Sequence, residues 1–119
     1  MPTILTVDDS TSMRKVIVFT LVNAGYDIIE AVDGVDALDK IKAAKVDFVL
    51  ADVNMPKMDG ISLTKALRAI PDFKFTPIII LTTEAGDAKT KGKNAGATGW
   101  IVKPFNPEQL LELVKKFLG

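Results

Sequence analysis

Phe48-Val49-Leu50-Ala51-Asp52 is an unbroken apolar run that stops at a carboxylate. A short continuous run of this composition reads as a strand of a parallel sheet, buried on both faces. The same pattern recurs along the chain. Ile4-Leu5-Thr6-Val7 ends in Asp8-Asp9, Ile78-Ile79-Ile80-Leu81 ends in Thr82-Thr83, and Trp100-Ile101-Val102 ends in Lys103-Pro104. Asp27-Ile28-Ile29-Glu30-Ala31 supplies a further short strand. In open α/β sheets the working crevice lies beyond the carboxyl ends of the strands. Three carboxylates, a hydroxyl and an ammonium are therefore expected around one hollow, a set suited to a divalent cation and a phosphoryl group.

Helical patterns alternate with these runs. Met13, Val16, Ile17, Thr20, Leu21 and Ala24 share one face of a first helix, which Gly25 stops. Asp33-Gly34 turns into a second helix carrying Ala37, Leu38 and Ile41. Asp59 is a plausible N-cap for a third through Leu63, Leu67 and Ile70, closed by Pro71. A fourth, near Gly86 to Ala95, has two glycines, several lysines and little apolar surface, and is expected to be marginal and mobile. Asn106-Pro107-Glu108 opens a fifth with Leu110, Leu111, Val114, Phe117 and Leu118 at helical spacing. Five βα units in a row imply an α/β, doubly wound parallel sheet with helices on both faces. The first turn, Asp8-Asp9-Ser10-Thr11-Ser12, has no glycine, which argues against a dinucleotide or P-loop site and for a cation site.

The 119 residues suit one domain with a real core. Fifteen basic and fifteen acidic residues cancel, so no basic field points to nucleic acid. Cysteine and histidine are both absent, which removes thiol chemistry, the usual zinc ligands and the usual general base. No apolar stretch has the length of a membrane span, and Met1-Pro2-Thr3 leaves no room for a signal peptide before the first strand. A cytoplasmic monomer with no membrane or nucleic-acid partner is expected.

The candidate residues admit plainer readings. Asp8 or Asp9 could cap the first helix, but a cap needs one carboxylate, and two beside Asp52 repel each other unless a cation compensates. Magnesium suits such a site, because it keeps several waters and takes one or two carboxylates. Asp52 could be a satisfied buried acid; as a nucleophile it could instead carry a phosphoryl group as an acyl phosphate. Lys103 could be a surface lysine, Thr82 or Thr83 a helix cap, and Trp100 a core residue or one that swings between exposed and buried positions.

Together, Val7-Asp8-Asp9-Ser10, the stretch Ala51 to Gly60, Leu81-Thr82-Thr83-Glu84-Ala85 and the stretch Gly99 to Phe105 resemble the receiver domain of two-component response regulators, most closely its single-domain chemotaxis members. The resemblance implies a flavodoxin-like five-stranded sheet of order 2-1-3-4-5 and a receiver domain over residues 3–119 with no output domain. It implies Asp52 as phosphoacceptor, and magnesium held by Asp9, Asp52 and the Asn54 backbone carbonyl, with Asp8 acting through water. Lys103 would hold the phosphoryl group, Thr82 would be the switch hydroxyl, and Trp100 takes the position of the switch aromatic. Asn54 and Glu84 occupy positions that tune dephosphorylation, and Lys103-Pro104 is expected to be cis.

The partners so implied are a histidine kinase, a flagellar motor switch protein or other target, and a phosphatase. The target would meet the fourth helix, fifth strand and fifth helix, with Lys89, Lys91, Trp100 and Lys115 as candidate contacts. Two other functions fit less well. A phosphorelay intermediate would pass its phosphate to a histidine phosphotransfer protein. A small aspartate phosphohydrolase usually has a second acid two residues after the nucleophile, where this chain has Asn54. The intact acid set disfavours a non-phosphorylated scaffold. No enzymatic turnover is expected beyond self-phosphorylation from small donors and self-dephosphorylation.

Overall fold

A computed structural model describes residues 2–55, 57–83 and 86–118. Its strands are β1 (Thr3–Val7), β2 (Asp27–Ala31), β3 (Phe48–Asp52), β4 (Ile78–Thr82) and β5 (Gly99–Val102). Between and after them run α1 (Thr11–Asn23), α2 (Gly34–Lys40), α3 (Gly60–Arg68), α4 (Gly86–Ala95) and α5 (Pro107–Leu118). All strand pairs are parallel, in the order β2-β1-β3-β4-β5. The expected order and fold class are those observed.

Alternation along the central strands divides the core between the two faces of the sheet. Leu5, Val7, Val49 and Ala51 pack with Leu63 and Leu67 of α3 and Ala37 of α2. Ile4, Leu50, Ile79 and Leu81 pack with Ile17 and Leu21 of α1 and Leu110 and Val114 of α5. Fully burying each of the Leu, Ile and Val side chains among these contributes about 1.5–3 kcal/mol. The β3 and β4 residues are all buried, as their unbroken apolar runs require.

Two readings need correction. β5 is an edge strand rather than one buried on both faces, and both Trp100 and Val102 are 40% exposed. In α1, Ile17, Thr20 and Leu21 are buried, but Val16 is 49% exposed and Ala24 lies at the surface. The helix is apolar nearly all round. Phe19 and Val22 are open to solvent as well, so periodicity alone could not choose the buried face.

The turns follow their local chemistry. Ser10 caps α1 by accepting a hydrogen bond from the Met13 N–H, Asp33 caps α2 and Asp59 caps α3. At the start of α5, Asn106 and Gln109 exchange side-chain-to-backbone hydrogen bonds, a capping box. Gly25 takes φ +97° after α1, a conformation in which a Cβ would be strained. The Lys103-Pro104 bond is cis, as expected. Among the described residues, no helix is long and apolar enough to cross a membrane.

Arg68 ends α3 with a set of contacts that no local motif announces. Its guanidinium donates to the carbonyls of Phe73, Thr76 and Gly96 at 2.6, 2.7 and 2.9 Å, and to Thr98 Oγ1 at 3.2 Å. One side chain thereby joins the end of α3, the entry to β4 and the turn after α4.

Candidate active site

Asp8, Asp9, Asp52, Thr82 and Lys103 stand where strands stop. Asp8 follows β1, and its N–H still donates to the Ala31 carbonyl at 3.1 Å, so the chain leaves the sheet only after this residue. Its side chain is fully buried. Oδ1 accepts from the Ser10 N–H at 2.8 Å, whereas Oδ2 has no hydrogen-bond partner. Asp9, one residue on, is exposed. Because Ser10 is the cap of α1, neither aspartate is needed for that purpose.

Asp52 closes β3 and is 6% exposed. Its Oδ1 accepts from the Asn54 N–H at 3.3 Å, and its Oδ2 lies 3.1 Å from Lys103 Nζ. The same ammonium is 3.5 Å from Asp8 Oδ2. The Lys103 backbone is fixed by an N–H bond of 2.7 Å to the Thr82 carbonyl, which extends the β4–β5 pairing by one residue. Behind Asp52, α3 begins so close that a Cβ on Gly60 would run into the Asp52 carbonyl oxygen. Only glycine lets that helix start there.

One carboxylate oxygen from each of Asp8, Asp9 and Asp52 lies within 4.8 Å of the others. Against these three negative charges Lys103 supplies one positive charge, leaving a formal excess of two. Burial pushes the Asp52 carboxyl above its ordinary value of 3.8; the Lys103 hydrogen bond opposes that push and the Asp8 charge adds to it. A divalent cation fits this set. The donors are hard oxygens, and Asp8 Oδ2, which has the 3.5 Å ion pair with Lys103 but no hydrogen bond, keeps lone pairs for a cation or a water bound to one. Beside the acids opens a cleft of about 690 Å³, lined by Asp9, Asn54, Met55, Asp59, Asp87 and Lys91.

The remaining candidates divide. Thr82, at the end of β4, is 2% exposed, while Thr83 is exposed. Asn54 is exposed at the mouth of the cleft. Trp100 lies away from the acids on β5, with Lys89 Nζ 4.3 Å from its ring centroid. Lys91 belongs instead to the cleft and pairs with Asp87 at 3.4 Å, because residues two apart on a helix point to different sides. Lys115 is exposed on α5. Glu84 lies outside the described residues. Sequence reasoning missed Arg14, whose guanidinium donates to the Asp8 carbonyl at 2.6 Å; only the packing of α1 against β2 shows it.

The description "response regulator receiver domain" matches residues 4–115. The chain is 44% identical to chemotaxis protein CheY1 of Helicobacter pylori, covering 98% of this chain and 96% of the relative. It is 42% identical to a CheY homolog of Campylobacter jejuni, covering 98% and 92%. Among solved structures, CheY4 of Vibrio cholerae is similar with a TM-score of 0.94 and 48% identity, covering 98% of both chains. The receiver domain of a Pseudomonas aeruginosa sensor histidine kinase, with a magnesium ion coordinated in its active-site cleft, aligns with a TM-score of 0.92 and 29% identity over 99% of this chain and 98% of that one. With a buried acid at the end of β3, a lysine at the end of β5 and these relatives, the chain belongs to the response regulator receiver domain family.

Proposed function

We propose that this receiver accepts a phosphoryl group on Asp52 from a phosphohistidine of a kinase and signals through a phosphorylation-dependent protein contact in chemotaxis. The observation that carries the reading is the 3.1 Å approach of Lys103 Nζ to Asp52 Oδ2 inside a cluster of acids. An Asp52 carboxylate oxygen attacks phosphorus. The phosphorus–nitrogen bond breaks, and its electron pair leaves with the imidazole. The product is an aspartyl phosphate and a histidine returned to its unmodified form. Such a transfer asks a protein chiefly for in-line positioning and charge neutralisation.

Lys103 supports the equatorial oxygens of the phosphoryl group, and the Thr82 hydroxyl donates to one of them. Asp9, Asp52 and the Asn54 carbonyl would hold magnesium, with Asp8 acting through a bound water. When bound, magnesium supplies the positive charge that the three carboxylates and the incoming phosphate require. Asn54, beside Asp52, and Glu84, two residues after Thr82 in sequence, would tune how long the acyl phosphate survives. Drawing Thr82 toward the phosphoryl group opens space for Trp100, which would carry the change to the surface formed by α4, β5 and α5. The chemotaxis relatives favour a chemotaxis kinase as donor and a flagellar switch protein as target. Both would act in the cytoplasm.

A small phosphodonor such as acetyl phosphate tests this without a kinase. Intact-mass measurement should show one added phosphoryl group on wild type with magnesium, and none with EDTA or on Asp52→Asn. Equal labelling of wild type and Asp52→Asn would refute the assignment.

A further inference from the structure

Asp8 is tied to β2 at both ends of its backbone. Its N–H donates to Ala31 O at 3.1 Å, the last ladder bond between β1 and β2. Its carbonyl, where the two strands part, accepts instead from Arg14 NH1 at 2.6 Å. Arg14 reaches back from the first turns of α1 with a side chain only 13% exposed. Its Nε is buried without a hydrogen bond, 3.5 Å from Glu30 Oε1. Glu30 is the β2 residue just before Ala31, so one short segment of β2 fixes the Asp8 N–H directly and its carbonyl through Arg14. Asp8 Oδ1 is held by Ser10, which leaves Oδ2 the one polar atom of the residue without a hydrogen bond.

Desolvating a guanidinium is costly unless it is paired and hydrogen-bonded, and Glu30 and the Asp8 carbonyl supply both for Arg14. Here the cost is met at a residue next to Asp9 and within ligand distance of Asp52. We propose that Arg14, oriented by Glu30, is a positioning residue that holds Asp8 and thereby sets the affinity of the acidic cluster for a divalent cation. The inference rests on the phosphoacceptor reading of that cluster. Groups that orient metal-binding residues typically change metal affinity about 10–100-fold when removed, and Arg14 acts through the Asp8 backbone, so the lower end applies. Arg14 touches neither Asp52 nor Lys103 through any hydrogen bond or ion pair among the described residues, so the transfer step itself should be unaffected once metal is saturating.

The test is magnesium binding measured by calorimetry on wild type, Arg14→Gln, Arg14→Lys and Glu30→Gln, followed by acetyl phosphate labelling across a magnesium titration. Arg14→Gln should weaken magnesium binding about tenfold. It should raise the magnesium concentration for half-maximal labelling equally, and leave the rate at saturating magnesium within about twofold of wild type. Arg14→Lys, which keeps a charge and a donor, should recover most of the affinity. Should Arg14→Gln fail to fold, Glu30→Gln decides, since it frees the guanidinium without altering any acid of the site; a two- to threefold weakening is expected at about 0.5 kcal/mol. Unchanged affinity in every folded variant would overturn the role of Arg14 while leaving the phosphoacceptor reading intact. A wild type that neither binds magnesium nor labels would overturn both.

Discussion

The ammonium of Lys89 on α4 sits 4.3 Å from the centroid of the Trp100 indole on β5. A cation over an indole face is attracted by the ring quadrupole, worth about 0.5–1 kcal/mol at an exposed site. Trp100 is 40% exposed and pairs in register with Ile80, two residues before Thr82 on β4. A contact between helix and edge strand therefore favours the outward position of the ring. Under the proposed switch, this contact would oppose an inward turn of the ring.

Lys89→Met should remove that bias. Trp100 is the only tryptophan, so its fluorescence reads the site without a label. Emission of the unphosphorylated protein should shift. The population with the ring turned inward should rise about two- to fivefold, the equivalent of 0.5–1 kcal/mol. Identical spectra for Lys89→Met and wild type would leave the cation without influence on the ring.

Thr82→Ala should separate binding from signalling. Beryllofluoride with magnesium, a phosphoryl mimic, should change Trp100 fluorescence in wild type and change it little in Thr82→Ala, although magnesium still binds. The coupling has to come from contacts that differ between the two states. A full fluorescence response in the variant would reduce the threonine to a packing residue.

Asp52→Asn should stabilise the metal-free protein at neutral pH. Burial raises the Asp52 carboxyl above 3.8 in the folded state, so proton binding there favours folding. That stabilisation is complete below 3.8 and is lost as pH rises through the folded-state value. At pH 7 the wild type thus carries a buried charge that the variant lacks. Thermal melts in EDTA should place Asp52→Asn above wild type at pH 7.5, by about 4 °C per kcal/mol, with the difference closing near pH 4. Millimolar magnesium should raise the wild-type midpoint more than that of the variant. A gap that is absent at pH 7.5 or widens on acidification would contradict the burial argument.

How far the chain could be read from its residues differs by region. The central strands were plain because Phe48–Asp52 and Ile78–Thr82 are buried on both faces and tolerate no polar interruption. Asp52 was equally plain, since an acid that ends an apolar central strand is carried to the carboxyl edge of the sheet, where it meets Lys103 and the other acids. The orientation of α1 was not. Val16, Phe19 and Val22 form an apolar stripe in solvent that competes with the buried one in any periodicity count. Arg14 and Arg68 were invisible for another reason. Both serve backbone carbonyls, Arg68 across 28 residues of chain to Gly96, and carbonyls leave no mark in a sequence.

Arg68→Met should be among the most destabilising single changes away from the site. It strands several carbonyls that now share one guanidinium, and should cost about 2–4 kcal/mol. Arg68→Lys should recover only part, because an ammonium cannot reproduce the planar fork. Urea unfolding at fixed slope measures both. A loss below about 0.5 kcal/mol for Arg68→Met would show that water serves those carbonyls as well.

The most direct measurement locates the phosphoryl group itself. Borohydride reduces an aspartyl phosphate to homoserine, a permanent change that peptide sequencing by mass spectrometry places at one residue. After acetyl phosphate, magnesium and borohydride, homoserine is expected at position 52 and nowhere else. It should be absent when EDTA replaces magnesium. Homoserine at position 8 or 9, or an unmodified Asp52 in protein that carries phosphate, would contradict the account.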